Sequence, residues 1–252
     1  MIALCSQVMV KNNIRLLSFD TIGYEATQWV EEQHLQKQLK TEVLLSIALL
    51  TFFNTDTGAL IDQLTPLYQD ACLRQTPLLL ACYLMPELDL QPQEKVEFLR
   101  RFSDVADSII VIPAMAGLSP AQALARLPQF LINAVNLPGM ITLEHADFID
   151  AIRPDIAVFV SASHEATKVL GDDLVQQWQS IGLPPADVQE IIAYIGGDED
   201  LGLDEYTAID QLLESNNFYR NTSAARVSLG MTVLDVCDDS IHVSALFFGL
   251  SF

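Results

Sequence analysis

Three stretches hold the residue types that phosphate and hydrolytic chemistry use. The first is Asp20-Thr21-Ile22-Gly23-Tyr24-Glu25, a turn between an apolar run, Ile14–Phe19, and a segment carrying Ala26, Trp29 and Val30 at helical spacing. A strand that enters a helix through a tight turn is where α/β folds seat phosphates, on the backbone amides of the helix N-terminus. Gly23 suits that place, but Asp20 and Glu25 set two carboxylates against it. At ~4 Å two like charges repel by about 1 kcal/mol in water and by several times that in a partly dry site. An unliganded strand–turn–helix unit is the competing expectation. The second stretch is Phe52-Phe53-Asn54-Thr55-Asp56-Thr57-Gly58, between the run Val43–Leu50 and a helical stripe of Leu60, Leu64, Leu67 and Ala71. Thr55 or Asp56 could cap the helix that follows, with the phenylalanines packed in the core. The third holds Glu144, Asp147 and Asp150 at intervals of three, which puts them on one face of a short helix or its leading loop.

The elements that must position these residues follow from periodicity. Pro77–Leu84 and Ser108–Ile112 join the two earlier runs as continuous apolar stretches, the mark of strands buried on both faces. Pro92–Phe102 reads as a polar-faced helix between them. Ser119-Pro120 offers an N-cap with proline at the first helical position, and Leu124, Leu127 and Leu131 continue the helix to a stop at Leu137-Pro138-Gly139. At about 1.5 Å per residue, Ser119 to Leu137 spans at most ~28 Å, and Pro128 could kink it. Strand and helix alternate, so the expected fold is α/β with a mostly parallel, Rossmann-like sheet and right-handed crossovers. The second half predicts strands at Ile156–Ser161, Val188–Ile195, Ala225–Val236 and Ile241–Gly249, with helices over Glu165–Ile181 and Leu203–Leu213, the latter capped near Asp204. Cys237-Asp238-Asp239-Ser240 reads as the turn of a hairpin joining the last two strands. The expected organisation is residues 1–118 as a reduced nucleotide-binding-like domain, 119–137 as a connecting helix and 138–252 as an α+β domain.

The run DSIIVIP, followed by a helix and then PGMITLEHADF, resembles the tubulin-type GTPases, and FtsZ in particular. FtsZ reads D-S-[LI]-I-V-I-P at the strand and P-G-L-I-N-x-D-F-A-D after the central helix. On that alignment Thr142 stands for the asparagine, Glu144 for the first aspartate and Asp147 for the second, while His145 replaces a phenylalanine. GGDEDLGLDEYTAI, RVSLGMTVLD and IHVSALFFGL resemble later family segments, so the resemblance runs from Ile14 to Leu250. It implies that Thr142, Glu144 and Asp147 stand in the loop that promotes hydrolysis at the next subunit's nucleotide. It also implies that Gly23, Thr55, Thr57 and Gly58 remain from the two phosphate loops, G-G-x-G-N-N-A-V-N and G-G-G-T-G-T-G. The other glycines of the second loop are Phe52, Phe53, Asn54 and Asp56 here. Glycines serve such loops because amides must approach phosphate closely, often at φ > 0. The stretch from Gly23 to Val43 is also too short for the strand and loops that family members place there. No cofactor is therefore expected. The implied function is an FtsZ-like protein that has lost GTP hydrolysis and acts on FtsZ or another cell-division protein. A divergent GTP-binding member is the alternative.

Composition bounds the rest. The chain has 252 residues, 33 acidic against 13 basic, for a net charge of −20. That charge repels nucleic-acid and lipid phosphates, so neither nucleic acid nor membrane is an expected partner. No apolar run reaches membrane-spanning length, the N-terminus lacks a basic start, and the expected location is cytoplasmic. Cys5, Cys72, Cys82 and Cys237 form no C-x-x-C pair and read as buried free thiols. The four histidines lack partners at metal-site spacing, and Asp198-x-Asp200 lacks the glutamate of a calcium loop, so no metal site is expected.

Overall fold

The computed structural model describes residues 7–11, 14–33, 45–52, 57–84, 91–136, 141, 149–152, 155–165, 167–182, 188–198, 201–213, 226–233 and 240–250. Its strands are β1 (Gln7–Lys11), β2 (Ile14–Ser18), β3 (Leu45–Phe52), β4 (Leu78–Leu84), β5 (Ser108–Ile112), β6 (Ile156–His164), β7 (Glu190–Gly197), β8 (Arg226–Val233) and β9 (Ile241–Leu250). Its helices are α1 (Thr21–Gln33), α2 (Thr57–Arg74), α3 (Pro92–Arg100), α4 (Pro120–Asn136), α5 (Thr167–Ser180) and α6 (Leu203–Leu213). The nine strands form one sheet in the order β1-β2-β3-β4-β5-β6-β9-β7-β8. Strands β2 to β6 are parallel neighbours, and β7 and β8 are parallel. The β1–β2, β6–β9 and β7–β9 pairs are antiparallel. The sheet passes unbroken from the first half of the chain to the second through β5 and β6, where Ile109–Val111 pair with Ile156–Val158.

Successive strand residues alternate between two cores. Leu17, Ala48, Leu50, Leu80 and Val111 face one side with Leu60 and Leu64 of α2 and Val96 and Leu99 of α3. Leu16, Ile47, Leu49, Leu79 and Ile110 face the other with Ala26 and Val30 of α1 and Leu124 and Leu127 of α4. Every residue of β4 and β5 is buried, which is why these strands read as unbroken apolar runs. The predicted cap of α4 is present as a capping box. The Ser119 N–H donates to Gln122 Oε1 at 2.9 Å, and the Gln122 N–H to Ser119 Oγ at 3.3 Å. The helix continues through Pro128.

Strands β2 to β6 step across the sheet in one direction, with α1 and α4 on one face and α2 and α3 on the other. One expectation is overturned, the hairpin around Cys237–Ser240. Strands β8 and β9 flank β7 on opposite sides and do not pair with each other. The reason is that β7 is buried along its whole length and needs a neighbour at each edge. Residues 237–239 lie outside the described residues. Strand β1 carries no strong sequence signal and pairs along all of β2. Ser163 and His164, expected near a helix start, instead prolong β6 against His242 and Ile241 of β9. The cap of α6 comes from Glu205, not Asp204, its Oε2 accepting from the Gly202 N–H at 2.9 Å. Cys82 is buried, but Cys72, on the outer side of α2, is exposed, so not every thiol lies in the core.

Candidate functional site

The C-terminal ends of β2 and β3 bring together the part of the predicted phosphate site that the structure describes. Asp20 is the residue before α1, and its carboxylate links that helix to the end of β3. The Gly23 N–H donates to Asp20 Oδ1 at 2.6 Å, satisfying an amide in the first turn of α1. The Thr51 N–H and hydroxyl both donate to Asp20 Oδ2, each at 2.6 Å. One carboxylate thus receives three donors from two chain segments. These are short, charge-assisted bonds, about twice as strong as neutral ones.

Gly23 has a packing reason to be glycine. A Cβ there would lie 2.5 Å from the carbonyl oxygen of Leu49, so α1 rests directly on β3 at this point. Thr57 and Gly58 form the first turn of α2, Thr57 half-buried and Gly58 exposed. Phe52, expected in the loop, is the last residue of β3, paired with Leu84. Phe53, Asn54, Thr55 and Asp56 lie outside the described residues, as do Thr142, Glu144 and Asp147. The segment before the acidic loop is fixed at Ile141, which exchanges two backbone hydrogen bonds with Met231 of β8, of 3.2 and 2.9 Å. Ile141 thus lies at the β8 edge of the sheet, and β2 lies near the opposite edge.

A cleft of about 440 Å³ lies beyond the C-terminal ends of β4, β5 and β6, with Lys95, Arg126, Ser161, Asp173, Gln177 and His242 among its lining residues. Its walls come from six strands and helices, β4, α3, α4, β6, α5 and β9, and from the residues that follow β5, so no single segment of the sequence marks it. Among the described residues no group of three or more His, Cys, Asp or Glu is arranged to hold a metal ion. No helix among them is long and apolar enough to cross a membrane.

No protein-family model matches the sequence, and no curated protein matches it. Solved structures do match its fold. A mutant FtsZ from M. jannaschii superimposes with a TM-score of 0.62 at 15% identity, over 83% of this chain and 66% of that one. CetZ2 from Haloferax volcanii, in a GTPγS-bound protofilament, gives 0.56 at 16% identity over 90% and 71%. TubZ of Bacillus thuringiensis serovar israelensis, in GDP-form protofilaments, gives 0.57 at 13% identity over 91% and 69%. The chain has the fold of the tubulin/FtsZ superfamily. It spans about two thirds of the length of these relatives.

Proposed function

We propose that this chain is an FtsZ-like protein that does not hydrolyse GTP and acts by protein–protein contact, modulating or capping FtsZ filaments. Residues 1–118 serve in this reading as the reduced nucleotide domain, 119–137 as the connecting helix and 138–252 as the second domain. The observation that supports it best is the Asp20 carboxylate, which uses the Gly23 amide and both Thr51 donors that a phosphate would need. A nucleotide would have to displace a charge of its own sign from three bonds. Such a chain needs no cofactor. The relatives' filament contacts are a second support, since CetZ2 and TubZ are described in protofilaments.

Head-to-tail filament contacts join two different faces, so one face can be kept while the other is lost. The acidic segment with Thr142, Glu144 and Asp147 remains in this sequence, whereas the nucleotide face is filled by Asp20. The protein can then offer one end of the contact but not receive the other. The test is co-sedimentation with FtsZ and GTP, comparing the wild type with Glu144→Ala/Asp147→Ala. Fewer or shorter filaments with the wild type alone are expected. An equal effect of the double variant, or steady GTP hydrolysis by the wild type that Asp147→Ala abolishes, would refute the reading.

A further inference from the structure

The cleft at the ends of β4, β5 and β6 owes its existence to unequal strand lengths. Strand β5 stops at Ile112, before Pro113, whereas β6 runs on to His164. Val111 pairs with Val158, so Ser161 and Ser163 project past the end of β5 and form a ledge with no strand beside them on that side. Gln177 of α5 takes the place of the missing neighbour. Its Oε1 accepts from the Ser161 N–H at 3.0 Å, and its Nε2 donates to the Ser161 carbonyl at 2.8 Å. The Ser161 and Ser244 hydroxyls lie 2.8 Å apart, and Ser240 Oγ is 3.2 Å from Ser163 Oγ and 3.3 Å from His242 Nε2. The wall is held in place before any ligand arrives, which lowers the ordering cost of binding.

Two cations line this cleft, and among the described residues neither forms an ion pair with a carboxylate. Lys95 Nζ donates to the Ile181 carbonyl at 2.9 Å, a partner that leaves its charge uncompensated. Arg126 of α4 is half-buried and has no ion-pair partner among the described residues, and burial pulls its pKa down. Arg15, Arg74 and Arg226 each pair with a carboxylate. A half-buried guanidinium at a cleft wall, with no ion-pair partner among the described residues, carries a cost that a visiting anion offsets. Asp173 and Gln176 line the same cleft and could receive hydroxyl groups, and Leu84, Met115 and Ile181 offer apolar contact. The volume is that of a small-molecule site.

We infer that this cleft binds a small organic anion, its carboxylate or phosphate group held by Arg126 with support from Lys95. The inference is independent of the filament reading. It is tested by calorimetric titration of the full chain with citrate, ribose 5-phosphate and inorganic phosphate, with sodium chloride at matched ionic strength as the control. At least one of the three should bind the wild type more tightly than about 1 mM, and Arg126→Gln should weaken it at least about tenfold, which equals about 1.4 kcal/mol. Arg126→Lys should retain part of the affinity. Citrate and ribose 5-phosphate separate a carboxylate preference from a phosphate preference. Without ligand, Arg126→Gln should melt no lower than the wild type, because the substitution removes an unpaired cation. Arg126→Lys carries the test should the glutamine variant fail to fold. No binding by any of the three, an equal response to chloride, or affinity unchanged in both variants would overturn the inference.

Discussion

Removing the Asp20 carboxylate tests whether it holds two elements together in place of a phosphate. Asp20→Ala deletes the cap of α1, which costs about 1 kcal/mol. It also strands the Thr51 N–H and hydroxyl, whose bonds to a charged acceptor are worth about 1.5 kcal/mol each at the low end of the usual range. Asp20 is half-buried, so water recovers part of this, and the expected loss is about 3 kcal/mol. For a chain of this size that is roughly 6–12 °C in Tm. Asp20→Asn should cost less, about 1–2 kcal/mol, because the amide oxygen can still accept from Gly23 while its NH₂ faces the Thr51 N–H donor. Thr51→Val removes one donor and should couple to Asp20→Ala by about 1 kcal/mol in a double-mutant cycle. Urea unfolding of the wild type, the three single variants and the Asp20→Ala/Thr51→Val double variant gives these values directly. A loss under about 0.5 kcal/mol in Asp20→Ala, or additive Asp20 and Thr51 effects, would show that the carboxylate bridges nothing of consequence.

Other consequences follow from the same structure. Gly23→Ala should destabilise by about 1–2 kcal/mol in urea, since overpacking against the Leu49 carbonyl outweighs the gain in helix propensity. Gly171→Ala meets only the tip of the Leu212 side chain and should be close to neutral, so equal losses at both glycines would refute the packing account. Burial pushes the Tyr194 hydroxyl up to about 12. A folded-state value above the unfolded value of about 10 gives stability that is complete below pH 10 and lost as pH rises through 12. Wild type should therefore lose up to about 1.4 kcal/mol more than Tyr194→Phe between pH 8 and pH 11, and parallel pH profiles would exclude this cause. Replacing Asp20, Phe52, Phe53 and Asp56 together by glycine should leave guanine-nucleotide affinity undetectable in a thermal-shift titration, because the stretch from Gly23 to Val43 is too short to rebuild a pocket. Recovered affinity would show that bulk and charge were the whole obstacle.

What the sequence disclosed was what single segments decide by themselves. Strands β4 and β5 had to be apolar throughout because both faces are covered, and their positions were readable for that reason. The stripe of Leu60, Leu64 and Ala71 marked the buried side of α2, and Ser119-Pro120 marked the start of α4. Features set by contacts across the chain left no local trace. Asp20 looked like a charge that would repel phosphate, and its partner Thr51 is 31 residues away. The ledge of β6 was missed because its last residues, Ser161 to His164, are small or polar and read as the end of a strand. Gln177, sixteen residues further on, supplies what β5 does not. The order β6-β9-β7-β8 was equally hidden, since local turn chemistry favoured a hairpin that the demand of β7 for two neighbours overrode.

Gly23 and Thr51 come from segments that lie side by side because β3 pairs with β2 from Ile14 to Ser18. An amide in the first turn of α1 and the two donors of Thr51 at the end of β3 therefore meet at one point, and each needs an acceptor. No short-range signal in the sequence shows that convergence, because it is made by the sheet. An aspartate at position 20 satisfies all three from within the chain.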